Sequence, residues 1–185
     1  MLDTEIKQQL AQYLELMEGD IVLQVSAGKD ETSQNILKLV NELASMSSRI
    51  TVETAALERT PSFCVNRPNE NTGITFAGVP LGHEFTSLVM ALLQVSGRAP
   101  KVEQKIIDQI QGIQDQLHFE TYISLSCHNC PDVVQALNIM SVLNPNITHT
   151  MIDGAAFKAE VEKKNIMAVP TVYLNGEVFS SGRMS

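Results

Sequence analysis

The sequence predicts an α/β protein built from two similar units in tandem. Three observations support this fold class. Predicted helices alternate with predicted strands, the alternation recurs about one hundred residues later, and each half then carries a proline that opens a β-rich run. With 185 residues and 44% hydrophobic content, the chain is long enough to bury a sizeable core in one large or two small domains.

The first half reads as a complete unit of alternating elements. Its amphipathic opening segment has apolar residues at helical spacing, and the next apolar run is short and β-branched, as in a strand. The predicted elements, in order, are helix 3–18, strand 20–26, helix 32–46, strand 50–53, a β-run after Pro61, a loop over 67–71, strand 74–78 and helix 83–95.

The second half repeats this order. Asn175-Gly176 is a strong two-residue signal for a β-hairpin turn. The predicted elements are helix 101–116, strand 119–125, helix 132–143, strand 150–153, a β-run after Pro170 and strand 177–179. The sequence ends with Gly182-Arg183-Met184-Ser185, where the counterpart of the last helix of the first half should begin, so we expect a fragment cut just before that helix or within a longer protein. The short junction 97–100 predicts units 1–98 and 99–185 packed as one rigid body.

Composition and charge exclude several functions. A net charge of −8 argues against nucleic acid, whose phosphates require clustered Lys and Arg. The acidic N-terminus lacks the apolar core of an export signal, and the longest apolar stretch, 85–95, is too short to span a bilayer. Three cysteines suit a reducing compartment better than a secreted disulfide framework. We therefore expect a cytoplasmic protein without a membrane segment.

The segment Cys127-His128-Asn129-Cys130, followed by Pro131, lies between a predicted strand and a predicted helix. Two cysteines at this spacing can close a disulfide, and the start of a helix stabilises a thiolate. We place Cys127 at the helix N-cap as the more exposed nucleophile, and Cys130 one turn further on as the resolving thiol. Half of a zinc site is one alternative, although only Cys64 and four scattered histidines remain as ligands. Two unreactive thiols are the other.

Two motifs carry a resemblance to a known family. They are Cys-His-Asn-Cys-Pro-Asp-Val-Val-Gln-Ala-Leu-Asn at 127–138 and Pro-Leu-Gly-His-Glu-Phe-Thr-Ser-Leu-Val at 80–89. Together with the tandem repeat, they resemble the N-terminal domain of the F subunit, the flavoprotein, of alkyl hydroperoxide reductase, over essentially the whole chain. The resemblance implies two thioredoxin-like units, each a central mixed sheet flanked by helices.

The resemblance also implies a function. In that family the domain relays electrons from a C-terminal, thioredoxin-reductase-like region that uses FAD and NADH to the disulfide of a peroxiredoxin partner, and so serves peroxide detoxification. The full-length protein is expected to be a homodimer. This chain has no Gly-x-Gly-x-x-Gly fingerprint, so FAD and NADH are expected outside it, and its own redox centre is the Cys127–Cys130 disulfide. No metal is expected.

Val169-Pro170-Thr171 stands about forty residues after the cysteine motif, where the resembled fold has a cis proline beside the dithiol. Cis peptide bonds are essentially a proline feature but are a small minority even there, so this expectation rests on the resemblance. In that fold the residue before the proline offers its backbone to a substrate strand. Pro61 is the same expectation for the first unit.

The first unit has Ala27-Gly28-Lys29-Asp30 where the second has its cysteines, so it cannot relay electrons itself. From the residues alone, Glu84 is best explained as a solvated glutamate that complements a helix dipole. The resemblance implies instead that Glu84 lies near the dithiol and handles protons. His83 beside it is either an assistant or an ordinary histidine of the cap region. His128 is expected to be exposed and to tune thiolate stability.

Two other functions stay open from the sequence. The chain fits an independent oxidoreductase of the glutaredoxin or protein-disulfide-oxidoreductase type, although the absence of a dithiol in the first unit disfavours the tandem proteins that carry two. It also fits a non-catalytic binding module whose disulfide is only structural.

Overall fold

The computed structural model of this chain describes residues 2–181, whose strands form one eight-stranded mixed sheet. The strands are β1 (Ile21–Ser26), β2 (Ile50–Thr54), β3 (Ser62–Arg67), β4 (Glu70–Ala77), β5 (Leu117–Ile123), β6 (Ile147–Asp153), β7 (Thr171–Leu174) and β8 (Glu177–Ser181). The helices are α1 (Thr4–Leu14), α2 (Glu31–Met46), a 3-10 turn (Gly82–Glu84), α3 (Phe85–Ser96), α4 (Gln104–Gln111), α5 (Cys130–Leu143) and α6 (Lys158–Lys163).

The sheet repeats one pattern twice. Its strand order is β2-β1-β3-β4-β6-β5-β7-β8, so each half of the chain supplies four adjacent strands. In each half the first two strands are parallel, and the hairpin strands that follow are antiparallel. The predicted α/β class with a mixed sheet is therefore confirmed. The division at residues 98 and 99 stays a prediction, because the sheet continues from one half into the other.

The two halves are joined by a parallel pairing of β4 with β6. Its register matches Ile74 with His149 and Ala77 with Ile152. Gly78 follows β4 directly with φ +121°, and a Cβ atom there would lie 2.8 Å from the Cβ of Asp153 at the end of β6. Only glycine fits both this backbone conformation and this close approach. The pairing therefore fixes where the chain leaves β4.

Helices cover both faces of the sheet. The largest core packs α1, α2, α3 and α5 against alternate residues of the first-half strands, such as Leu23, Val65 and Phe76. A second core lies between α5 and the strands of the second half. On the opposite face, Tyr122 and Ile152 pack with residues of the α6 segment. Within residues 2–181, no helix is both long and apolar enough to cross a membrane.

Several predicted boundaries differ from the observed ones. The helix expected over 101–116 is only Gln104–Gln111, because Gly112 is a poor helix residue and caps its end. The loop expected over 67–71 is a tight turn, since β4 already begins at Glu70. Asn69 takes a φ of +62° there, a conformation that asparagine tolerates better than most residues. The hairpin expected at Asn175-Gly176 is confirmed, with both residues at positive φ. The truncation expected at the end of the sequence, over 182–185, lies outside the described residues.

An ion-pair network ties the two halves together on the α6 side of the sheet. Arg59, in the loop after β2, contacts Glu120 on β5, and its Nε donates to Glu160 on α6 at 3.0 Å. The Tyr122 hydroxyl also donates to Glu160. The neighbouring His118 and Arg59 lower the pKa of Glu120 to about 2, against the opposing effect of burial. One arginine thus compensates two carboxylates at the junction.

We predict that Arg59→Ala lowers the free energy of unfolding by roughly 3–5 kcal/mol, because the nearly buried Glu120 loses its charged partner. Denaturant unfolding followed by circular dichroism measures this change. Arg49→Ala is the matched control, since Arg49 pairs with Asp20 at an exposed site and should cost at most about 1 kcal/mol. Equal losses for the two variants would contradict a special role for Arg59.

Candidate functional site

The cysteine motif forms a disulfide between Cys127 and Cys130, with their Cα atoms 5.6 Å apart. Cys130 is fully buried, whereas Cys127 is only half-buried. The predicted order of exposure is therefore confirmed. A thiolate from outside can therefore approach the sulfur of Cys127, whereas burial shields the sulfur of Cys130.

The predicted position of Cys127 at the helix N-cap is wrong. Asn129 is the N-cap, α5 begins at Cys130 itself, and the Cys127 N–H donates to the Ser124 carbonyl at 3.0 Å. Pro131 explains the difference. With Cys127 as the cap, Pro131 would stand where the first intrahelical N–H is needed, and proline has none. The proline therefore holds the helix start at the second cysteine and leaves the first in the preceding loop.

The peptide bonds Val169-Pro170 and Thr60-Pro61 are both cis, as expected. The carbonyl oxygen of Val169 lies 4.0 Å from the Cys127 sulfur. Pro170 and Thr171 are buried, and Thr171 donates its hydroxyl proton to the Ala168 carbonyl at 2.5 Å. The segment before β7 therefore forms the wall of the site next to the exposed sulfur.

Sequence reasoning missed Met167, which lies in this wall and is 92% exposed. Val169 beside it is 37% exposed, and both residues line a shallow cavity that also includes Ile123 and Ile166. The two side chains give the rim of the site an apolar surface. The available signal was position, because Met167 stands three residues before the cis proline.

A turn from the first half packs on the cysteine loop. The His83 N–H donates to the Leu125 carbonyl at 3.0 Å, and the rings of His83 and His128 are 4.5 Å apart. Gly82 has a φ of +60°, and a Cβ atom there would lie 2.9 Å from the Leu125 oxygen. The first half therefore contacts the redox loop directly, across the junction between the halves.

Glu84 ends this turn, and its side chain is fully buried. Burial raises the pKa of Glu84 to about 7, while a hydrogen bond from the Ser87 hydroxyl to Oε1, 2.6 Å long, works in the opposite direction. The other oxygen, Oε2, is buried and has no hydrogen-bond partner among residues 2–181. The interpretation as a solvated helix-start glutamate is wrong, because α3 and α5 both pack against the turn and exclude water.

The remaining candidate residues have structural settings. Asp30, at the position of Cys130 in the second half, caps α2 by accepting from the Ser33 N–H. Cys64 is half-buried 3.2 Å from the Thr75 hydroxyl, and burial raises the pKa of its thiol. His128 is exposed, as expected.

The two histidines without a sequence pattern are also explained by packing. His149 is enclosed between Thr121 and Asn138, at 2.7 Å from each, and burial lowers its pKa to about 3. His118 lies 3.8 Å from Glu120, which raises the pKa of the imidazole. Both histidines belong to polar contacts of the sheet and not to the cysteine site.

The sequence of this chain is similar to those of several known proteins. The thioredoxin domain family matches residues 117–185. A Bacillus subtilis protein named NADH dehydrogenase is 75% identical over all 185 residues, which make up 36% of its length. The F subunit of alkyl hydroperoxide reductase of Staphylococcus epidermidis is 63% identical with the same coverage. The chain therefore spans about a third of the curated relatives it matches.

Solved structures show similarities of fold that agree with these sequence similarities. The crystal structure of the NTD_N/C domain of alkylhydroperoxide reductase AhpF from Enterococcus faecalis has a TM-score of 0.91 and 29% identity, covering 100% of this chain and 96% of that one. A protein disulfide oxidoreductase from Aeropyrum pernix has a TM-score of 0.85 at 20% identity, covering 99% and 89%. The second likeness shows a shared fold only.

The fold and the site define a class: this is a thioredoxin-fold protein with a disulfide-forming Cys-x-x-Cys pair at the start of a helix. Within that class, the chain is similar over its full length to part of the F subunit of alkyl hydroperoxide reductase, at 62–63% identity, and it has the fold of the NTD_N/C domain of one such protein. The resemblance found in the sequence is therefore confirmed.

We predict that Glu84→Gln removes a pH-dependent loss of stability. Because the folded pKa is about 7 and the ordinary value is 4.5, the folded chain holds a proton that the unfolded chain releases earlier. Its stabilising contribution is complete below pH 4.5 and is lost as pH rises through about 7. Between acid and mildly alkaline pH, the parent should therefore lose about 1–3 kcal/mol more of its free energy of unfolding than the Glu84→Gln variant does.

Denaturant unfolding of the oxidised chain across this pH range measures the difference. Glu31→Gln is the matched control, because Glu31 is an exposed first-turn glutamate on α2. Parallel pH curves for the parent and Glu84→Gln would show that burial does not shift this carboxyl group.

Proposed function

We propose that this chain is a dithiol–disulfide electron relay. It takes electrons from an FAD- and NADH-dependent reductase region of a longer protein and reduces the disulfide of a peroxiredoxin partner. The observation that carries the proposal is the unequal exposure of the two sulfurs beside a cis proline, in a chain homologous to the F subunit of alkyl hydroperoxide reductase. We assign Cys127 and Cys130 as the catalytic residues.

The reaction in the direction of the partner has two exchange steps. The Cys127 thiolate attacks one sulfur of the partner disulfide, that bond breaks, and the second partner sulfur leaves as a thiolate that takes up a proton. The Cys130 thiol then loses its proton and attacks the Cys127 sulfur, releasing the other partner thiolate. The net result is two electrons and two protons transferred, with the Cys127–Cys130 disulfide formed.

The site suits these steps by position. Cys127 lies in the open loop, 4.0 Å from the Val169 carbonyl oxygen, so a bound partner strand can run along the segment before Pro170. Met167 and Val169 offer an apolar surface on which such a strand can pack. Cys130 is buried behind it and attacks only the sulfur of its neighbour, which favours release of the partner over side reactions.

Glu84 is proposed to handle the proton of Cys130. It is buried on the turn that packs against the cysteine loop and α5, and its pKa of about 7 lets it both accept and return a proton near neutral pH. The exposed ring of His128 is proposed to tune the neighbouring thiolate by its charge. This assignment gives the half without a dithiol a part in the reaction.

The cofactors belong to the longer protein in this proposal. We place FAD and NADH in the region that the relatives carry beyond the span matched here, and a relative named NADH dehydrogenase supports NADH as the electron source. Bound there, the flavin supplies the electrons, which reach Cys127 by thiol–disulfide exchange with that region. A cytoplasmic location and a homodimeric full-length protein complete the proposal.

We predict opposite consequences for the two cysteines. Cys127→Ser should abolish electron transfer to an oxidised two-cysteine peroxiredoxin, while Cys130→Ser should accumulate a mixed disulfide with it, because the resolving thiol is gone. Non-reducing electrophoresis and mass spectrometry detect the adduct, and Cys64→Ser is the matched control. Trapping by Cys127→Ser would reverse the assigned order.

The same assay separates the other candidate functions. A general oxidoreductase would reduce insulin and the peroxiredoxin at similar rates, and a binding module would hold the peroxiredoxin without reducing it. Reduction of the peroxiredoxin, with re-reduction by a cognate flavoprotein region, is the result expected from the proposal.

We predict that Glu84→Gln slows exchange by roughly 10²–10⁴-fold, since a positioned proton carrier contributes this much. The rate is measured with the peroxiredoxin between pH 5 and 9, and the inflection near the Glu84 pKa should disappear. An unchanged rate across this range would reject Glu84 as the proton carrier. Glu31→Gln again controls for loss of a surface charge.

A further inference from the structure

We propose that Ser87 and Gln135 are positioning residues that decide which oxygen of Glu84 carries its proton. This inference rests on the proposed role of Glu84 in proton handling and adds a mechanism to it. It comes from a hydrogen-bond chain that runs from α5 of the second half to α3 of the first half and ends on the Glu84 carboxyl group.

The chain has a defined direction. The Gln135 amide nitrogen, a donor only, donates to the Ser87 hydroxyl oxygen at 3.1 Å. A hydroxyl group has one proton, and with its oxygen already accepting from the amide, that proton points to Glu84 Oε1 at 2.6 Å. Oε1 of Glu84 is therefore a hydrogen-bond acceptor whenever both of these hydrogen bonds are formed.

The direction fixes the place of the proton on Glu84. A neutral carboxyl group carries one O–H, and Oε1 is occupied by the Ser87 donor, so the proton resides on Oε2. That oxygen is fully buried and is without a hydrogen-bond partner in the described part of the chain. Buried polar atoms are almost always paired in folded proteins, and a redox or catalytic role is one explanation for an unpaired one.

Few titratable groups near Glu84 could exchange a proton with its Oε2 atom. The turn that holds Glu84 packs against α3 and α5. Helix α3 carries no charged residue, and Asp132, which is exposed, is the one charged residue of α5. The titratable groups on the turn, the cysteine loop and the start of α5 are His83, Cys127, His128, Cys130 and Asp132. Cys130 is the buried member of this set, and Gln135 lies on the same helix.

The proton transfer balances in both directions. When an incoming thiolate attacks Cys127, the Cys127–Cys130 bond breaks and its electron pair remains on the Cys130 sulfur. That sulfur takes the Oε2 proton, and the resulting Glu84 carboxylate is stabilised by the Ser87 hydroxyl. In the opposite direction, Oε2 accepts the proton of the Cys130 thiol before it attacks. Ser87 and Gln135 keep the same oxygen available in both reactions.

Two variants test the hydrogen-bond chain from Gln135 through Ser87 to Glu84. Ser87→Ala removes the donor to Oε1, and Gln135→Met removes the amide that orients Ser87. We expect Ser87→Ala to raise the Glu84 pKa by about one to two pH units, because a hydrogen bond to the charged form is lost. Gln135→Met should shift it in the same direction but less. Ser87→Thr keeps the hydroxyl and should restore the parent value.

Two readouts are needed. The Glu84 pKa is measured directly by ¹³C NMR titration of its carboxyl carbon in the oxidised chain. The exchange rate of the reduced chain with oxidised glutathione is measured across the same pH range. The inference requires that the inflection of the rate profile moves together with the measured pKa. In a Glu84→Gln background, Ser87→Ala should cause no further change in rate.

The possible outcomes separate the two proposals. A Glu84 pKa that stays at the parent value in both variants would overturn the hydrogen-bond chain, even if Glu84→Gln slows exchange and the role of Glu84 stands. A further loss of rate from Ser87→Ala in the Glu84→Gln background would show a merely structural role and would also overturn it. If Glu84→Gln leaves exchange unchanged, the proposed function of Glu84 fails and the inference fails with it. Should Ser87→Ala not fold, Gln135→Met decides, because Gln135 is only half-buried.

Discussion

The parallel pairing of β4 with β6 is the constraint on which the site depends. It merges two four-stranded sheets into one, and its register sets the point at which the first half leaves the sheet. From there the chain needs only a short turn to bring Gly82 and His83 against the carbonyl of Leu125. A slip of this register by one residue would move the turn along the sheet. It would also bring the side chains of β4 to the opposite face.

Burial at the site separates the accessible sulfur of Cys127 from the groups behind it. Cys127 is open to partners, Cys130 is enclosed, and Glu84 is enclosed on a neighbouring element. This order suits exchange chemistry, in which one sulfur must meet a large partner while the other sulfur and its proton are kept from water. Low polarity around Glu84 raises its pKa towards neutrality, so the same packing that shields Cys130 also prepares a proton carrier.

The half without cysteines keeps the outline of the redox site but fills it differently. Asp30 and Ser33 form an ordinary helix cap where the second half has its buried cysteine, and Thr60-Pro61 retains the cis peptide bond. What this half supplies to the other is contact across the junction, through Arg59 on one face of the sheet and the 82–84 turn on the other. Its role is therefore best understood from the interface and not from its own cysteine-free loop.

The sequence by itself determined the features that short segments specify: the alternating elements, the Asn175-Gly176 turn, and a cysteine pair between a strand and a helix. Local reasoning also placed the cysteines in the correct order of exposure but put the helix start too early, because a helix capped by Cys127 would need the N–H that Pro131 lacks. Only the tertiary structure decided the setting of Glu84, the Ser87–Gln135 contact and the pairing of Arg59 with Glu120 and Glu160. These contacts join residues from 48 to 101 positions apart, apart from the Ser87–Glu84 bond. They depend on how two separately predictable units dock, and burial created by docking leaves no periodic signal in either unit.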